Sequence, residues 1–142
     1  MKKKVTISIL LIIVILSSTY FLLSLKDKKD VEAALDGFYT DFIDRKYEDL
    51  YKHFAFKFSD YELVDIQGTI AQSLINDRNF YGDVKRIRYK YIFWTGPNKR
   101  FVFVEVQRHD GGNTSTDKIK LQKMNNEWVI DSYINGDPIK LP

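Results

Sequence analysis

The sequence predicts an α+β protein: an N-terminal transmembrane helix, then three helices packed on a curved four-stranded antiparallel sheet. Three observations predict it. Residues 5–25 carry no charged side chain. Apolar residues then recur at helical spacing from Val31 to Ile75. From Val84 onward apolar and polar residues alternate, the period of a strand, and the alternating runs are joined by short polar links. Links that short make an antiparallel meander, because parallel strands need long crossovers.

The apolar run VTISILLIIVILSSTYFLLSL lies between Met1-Lys-Lys-Lys4 and Lys26-Asp-Lys-Lys-Asp30. As a helix it is about 30 Å long, the thickness of a bilayer core. A lone segment in lipid satisfies its backbone groups only as a helix. A cleaved signal peptide would need a shorter apolar core ending in a small-x-small site. Ser17-Ser18-Thr19 is the nearest candidate, but Tyr20-Phe21-Leu22-Leu23 continues the run beyond it. The organisation expected is therefore a cytoplasmic tip at 1–4, a membrane anchor at 5–25, a linker at 26–30 and a domain at 31–142. A short basic N-terminus ahead of a first span stays inside, which places the domain outside the cytoplasm.

Asp30 is placed to cap the next helix, with Glu32 in its first turn. Val31, Ala34, Leu35, Phe38, Tyr39, Phe42 and Ile43 make its apolar face, and Gly37 marks a close contact within it. A short helix over 47–54 carries Leu50, Tyr51 and Phe54 on one side. Ser59 and Glu62 form a capping box for a third helix through Leu63, Ile66, Ile70, Leu74 and Ile75. Gly68 leaves open whether this is one helix or a turn and a helix; Asn79 and Gly82 end it. On the first strand Ile87, Tyr89, Tyr91 and Phe93 are expected inward, with Arg86, Arg88 and Lys90 outward. Gly96-Pro97-Asn98 turns into a strand over 101–108 with Val102, Val104 and Val106 on one face. A third strand spans 117–123, Asn125-Asn126 is a tight turn, and a last strand spans 128–134, with Trp128, Ile130 and Ile134 sharing a face.

Composition excludes several functions. The 142 residues are 29% charged and 15% aromatic, unlike a disordered chain. With no cysteine there is no disulfide scaffold, thiol nucleophile or iron–sulfur cluster, and two histidines make a histidine-rich metal site untenable. No cofactor is expected. Residues 1–30 hold six lysines and two aspartates, net +4; the remainder holds sixteen basic and seventeen acidic residues, net −1. The basic balance thus belongs to the anchor and gives no reason to expect nucleic-acid binding by the domain.

Three segments carry the remaining signals: "FYTDFIDRKYEDLYKHF", a helix running into a short helix; "FYGDV" closing the third helix; and "NNEWVIDSY", a turn and a Trp-led strand. On these the chain resembles the nuclear-transport-factor-2-like (NTF2-like), or cystatin-like cone, superfamily over 31–134, and small membrane-anchored bacterial domains within it. The resemblance implies a cone between helices and sheet, in a fold that hosts isomerases, binding modules and assembly scaffolds alike.

An isomerase-like cone needs a carboxylate and acidic hydrogen-bond donors facing inward. The pocket candidates are Tyr39, Tyr89, Tyr91 and Asp131, although Asp131 opposes the apolar phase of its strand. His53 at a helix end and His109 before a Gly-rich loop are accounted for by the helix dipole and by loop chemistry. Asp110, Asn113 and Asp117 miss the calcium-loop spacing. No catalytic or metal-ligating residue is assigned. The outward set gives an interface candidate instead: Arg86, Arg88 and Lys90, then Phe101 and Phe103, then Lys118 and Lys120. Its bland alternative is a solvated face with Glu105 paired across strands. The expectation is a membrane-anchored extracytoplasmic binding or assembly module, non-enzymatic. Its partners are the lipid bilayer through 5–25 and a protein partner or second copy through the sheet. The alternative is a small-ligand or isomerase-like pocket.

Overall fold

The computed structural model of the chain describes residues 2–58, 63–108 and 114–134, with side chains described from residue 6 and, in the third helix, from residue 67. Helix α1 spans Lys2–Leu25; its apolar stretch is exposed from Thr6 to Leu22, with Leu23 half-buried and Ser24 buried. It is long and apolar enough to cross a membrane. It stops at Lys26–Asp27, where Asp27 takes the left-handed conformation (φ 61°), and α2 spans Lys28–Ile43. The segment read as a linker is thus a tight turn followed by the first turn of α2.

Val31, Leu35, Phe38, Tyr39 and Phe42 are buried on one stripe of α2. Gly37 does mark a close approach: a Cβ there would lie 3.3 Å from His53 Cε1. Left-handed Arg45 (φ 62°) ends the helix. The expected short helix is a 3-10 helix, Tyr47–His53, followed by another, Ala55–Phe58; Leu50 and Phe54 enter the core. Helix α3 spans Leu63–Tyr81 without a break at Gly68, and Gly82 (φ 86°) terminates it. Its expected capping box, Ser59 with Glu62, lies outside the described residues.

The strands are β1 Val84–Gly96, β2 Lys99–Arg108, β3 Thr114–Met124 and β4 Glu127–Ile134, hydrogen-bonded in the order β1-β2-β3-β4, all antiparallel. Asn125 (φ 49°) and Asn126 (φ 66°) are both left-handed, as a two-residue hairpin turn of this twist requires. The helices pack on one face of the sheet. There Val102, Val104, Val106, Ile119, Leu121 and Ile130 meet Val31, Leu35, Phe38 and Leu50.

Two register shifts overturn part of the expected phase. In β1, Tyr89 pairs with Val104 and Tyr91 with Phe103, so Lys90 is an extra residue. A bulge of that kind inverts every side chain beyond it. Ile87 and Tyr89 pack on the core as expected, but Ile92 takes the next inward place and Tyr91 points out, 62% exposed. In β4, Leu121 pairs with Ile130 and Lys120 with Ser132, which leaves Asp131 on the bulge. Tyr133 therefore turns inward beside Phe38, their centroids 5.4 Å apart, and Ile134 turns outward, 54% exposed.

Candidate functional site

Four places carry functional chemistry: the polar centre of the cone, grooves beside the helices, the end at which α1 joins α2 and the outer face of the sheet. At the centre, alternation on β3 carries Asp117 inward in line with Ile119 and Leu121, and Asp117 is fully buried. Tyr39 on α2 and Tyr133 on β4 both donate hydroxyl hydrogen bonds to its Oδ2, at 2.7 and 2.8 Å. Burial, then the negative charge of Asp117, push the Tyr39 phenol well above its ordinary range, and the same causes act on Tyr133. Nearby, Arg108 Nη2 donates to Asp77 Oδ2 at 2.9 Å, with both side chains almost fully buried. Each cluster draws its donors and acceptor from different elements of the core.

The four pocket candidates separate. Tyr39 reaches the centre. Tyr89 stays at the rim, where its hydroxyl donates to Asp36 Oδ1 and lies 3.2 Å from the Glu32 carbonyl oxygen. Burial raises its pKa, reinforced by the hydrogen bond to Asp36. Tyr91 and Asp131 do not line the cone: the Lys90 bulge turns Tyr91 outward, and Asp131 is exposed on the side that the alternation of its strand gives it, opposite Ile130. Tyr133 and Asp117 take the places expected of them. The signal for Asp117 was its period-two relation to Ile119 and Leu121. Tyr133 had none, because its direction depends on the bulge.

A groove of about 400 Å³ opens between the start of α2, the 3-10 segments and the β3–β4 turn, lined by Ala33, Ala34, His53, Lys57, Glu127 and Trp128 among others. Its histidine is committed: His53 Nε2 lies 2.8 Å from Asp41 Oδ2, which also receives Lys52 Nζ at 2.9 Å. Burial lowers the His53 pKa against the opposing pull of Asp41. The hydrogen bonds from His53 and Lys52 hold the Asp41 carboxyl well below the usual range. Lys57 pairs with Glu127 across the groove. A second groove, about 430 Å³, is lined by Arg45, Tyr47, Glu48, Asp49, Ala71 and Ile75. It contains a carboxylate and a tyrosine, but its lining comes from the helical layer rather than from the sheet. Among the described residues no group of three His, Asp or Glu side chains is placed to hold a metal. His109, Asp110 and Asn113 lie outside the described residues.

The outer face of the sheet brings the interface candidates together. Phe101 and Phe103 stack edge-on at 4.9 Å, Phe93 meets Phe103 at 5.9 Å, and Tyr91 meets Phe103 at 6.4 Å. The Lys90 bulge added Tyr91 and Phe93 to this patch. Lys118 and Lys120 stand opposite Phe103 and Phe101 on β3, and Ile134 opposite Lys118 on β4. Above the aromatics, Glu105 binds Arg88 Nη2 and Lys90 Nζ, each at 2.7 Å, and their hydrogen bonds, that of Lys90 foremost, lower its pKa. Part of the basic stripe is thus neutralised across strands. Arg86 is exposed beside it.

No protein-family model matches the chain, and no curated protein matches it. Solved structures do. The "Putative NTF2-like transpeptidase" of Campylobacter jejuni superposes with a TM-score of 0.57 at 17% identity, covering 71% of this chain and 96% of that one. An NTF-2 like protein of unknown function from Shewanella oneidensis MR-1 superposes with a TM-score of 0.52 at 14% identity, covering 77% and 98%. Helices on one face of a four-stranded antiparallel sheet, and these two superpositions, show that the chain has the NTF2-like α+β fold.

Proposed function

We propose that this protein is a membrane-anchored, extracytoplasmic and non-enzymatic binding or assembly module that works through the outer face of its sheet. The observation that carries the reading is the aromatic patch of Tyr91, Phe93, Phe101 and Phe103, bordered by Lys118, Lys120 and Ile134. Apolar and aromatic area left beside cations is typical of a protein contact. The exposed apolar surface of α1 supports the anchor, and the lysines before it support a cytoplasmic N-terminus. The cone's polar groups support a structural role for the interior: Asp117 is held by two tyrosines and Asp77 by Arg108.

The test is the full chain purified from membranes in mild detergent, alongside a Tyr91→Ser/Lys120→Glu variant. The expected result is a dimer or a stoichiometric protein partner for the parent chain, lost in the variant at unchanged melting temperature. Identical association states for the two proteins would overturn the outer-face reading. A second reading, a small-ligand pocket, has one observation in its favour, the groove of about 400 Å³ beside His53 and Trp128. A small molecule co-purifying with both proteins would favour it.

A further inference from the structure

The end of the domain at which α1 arrives is built differently from the rest. Both hairpin turns, β1–β2 and β3–β4, lie there, since Lys99 pairs with Gln122 and Met124 with Glu127. The β1–β2 hairpin does not stop at the end of α1 but runs back along it. The Trp94 backbone N–H donates to Ser24 Oγ at 3.2 Å, and the Trp94 ring meets Tyr20 edge-on with centroids 6.5 Å apart. Tyr20 precedes Leu25 by five residues, about 7.5 Å along the helix. Tyr20 also lies inside the apolar stretch Thr6–Leu25.

The junction has no slack. Arg100, whose side chain is fully buried, donates from Nη1 to the Gly96 and Lys99 carbonyls at 2.9 and 2.8 Å. From Nη2 it donates to Asp27 Oδ2 at 3.1 Å and to the Lys26 carbonyl at 3.3 Å. One guanidinium therefore ties the base of the hairpin to the turn between α1 and α2. The guanidinium also lies 5.1 Å from the Trp128 ring centre. A planar fork with several donors suits this clasp and a lysine does not.

We propose that the β1–β2 hairpin is a membrane-interface element, seated among the phosphates of anionic lipid headgroups beside the anchor. This rests on the reading of α1 as a membrane span. If Tyr20 lies near the outer edge of the bilayer, the contact with Trp94 puts Trp94 at headgroup level, where tryptophan is favoured. The charges fit anionic lipid. Lys26, Lys29 and Lys99 are exposed at this end, and Lys28 stands beside Glu32. The nearby acids are largely engaged: Asp27 with Arg100, Glu127 with Lys57 and Glu32 with Lys28, which leaves Asp30 exposed. Lysines at an anionic surface are each attracted over about a Debye length. The domain would then hold one fixed height and orientation on the membrane rather than swing on a tether.

The absence of cysteine makes the test direct. Single variants Asn98→Cys at the hairpin, Asp44→Cys at the far end of α2 and Val14→Cys within α1 are spin-labelled. Each full chain is reconstituted in phosphatidylcholine vesicles with or without phosphatidylglycerol, and label depth is read from accessibility to oxygen against a water-soluble relaxant. The expected result is Val14→Cys in the hydrocarbon, Asn98→Cys at headgroup depth and Asp44→Cys in water. Adding Lys99→Glu should weaken Asn98→Cys seating about fivefold or more in anionic vesicles. Val14→Cys in lipid with Asn98→Cys as water-exposed as Asp44→Cys would overturn the hairpin proposal alone. Val14→Cys in water would instead overturn the membrane-span reading. Seating unchanged by phosphatidylglycerol and by Lys99→Glu would overturn the anionic-headgroup assignment.

Discussion

The two faces of one sheet spend their polar and aromatic residues in opposite ways. Inward, the buried carboxylates are matched: Tyr39 and Tyr133 converge on Asp117, and Arg108 on Asp77. Outward, Glu105 neutralises Arg88 and Lys90, while Tyr91, Phe93, Phe101 and Phe103 stack with one another and stay partly open to solvent. A buried polar group without a partner costs the fold directly, so the inner face has to be closed. An exposed aromatic cluster costs little in the monomer and gains only when something covers it. The inner face therefore explains stability and the outer face is where a partner would act.

The sharpest way to break that comparison is Asp77→Ala. It strands the Arg108 charge in the core and should cost about 3–5 kcal/mol, read from urea unfolding. Replacing both partners by leucine should recover most of the loss, and a double variant as unstable as the single would argue against that account. Next is Tyr39→Phe. It removes one charge-assisted hydrogen bond to Asp117 and should cost about 1.5–3 kcal/mol. On the outer face Tyr91→Ser should change stability by less than about 0.5 kcal/mol. A cost comparable to Tyr39→Phe would mean that the two faces do not differ as described.

Acid should act on the helical side. Burial places the folded His53 pKa below its ordinary 6.5, so the unfolded chain binds the proton more readily. Stability is then full above about pH 6.5 and declines as pH falls toward the folded value. Asp41, depressed by His53 and Lys52, adds a decline at lower pH, from the ordinary carboxylate value downward. A melting-temperature profile for His53→Gln should lose the first step and retain a smaller acid limb, since Lys52 and Lys46 still hold Asp41 while the His53 contribution is gone. A small net effect is expected at Gly37→Ala. Helix propensity gains about 1 kcal/mol, and the 3.3 Å approach to His53 Cε1 takes part of it back. A melting temperature within a few degrees of the parent is the expected reading.

Much of the fold was legible because it rests on local periodicity. The stripe of Val31, Leu35, Phe38 and Phe42, the alternation of Val102, Val104 and Val106, and the Asn125-Asn126 turn each declare themselves within a few residues. The site was less legible. Tyr39 is visible in the sequence as an inward tyrosine, but its partner Asp117 reads there only as a loop oxygen ligand. Extending the alternation through Lys90 puts Tyr91 inward, and extending it past Ile130 puts Ile134 inward; each strand inserts one residue there, and both side chains turn out.

By itself, then, the sequence determined a long apolar helix, a helical segment, a four-strand meander and the side of each strand up to the bulges at Lys90 and after Ile130. Tertiary structure decided the rest: where the bulges fall, that Tyr133 rather than Ile134 turns inward, and that Arg100 ties the end of α1 to the sheet. The physical reason is range. Periodicity is a relation between neighbours, whereas a bulge is set by the register against the next strand. The clasp pairs residues 27 and 100, which only the folded chain brings together.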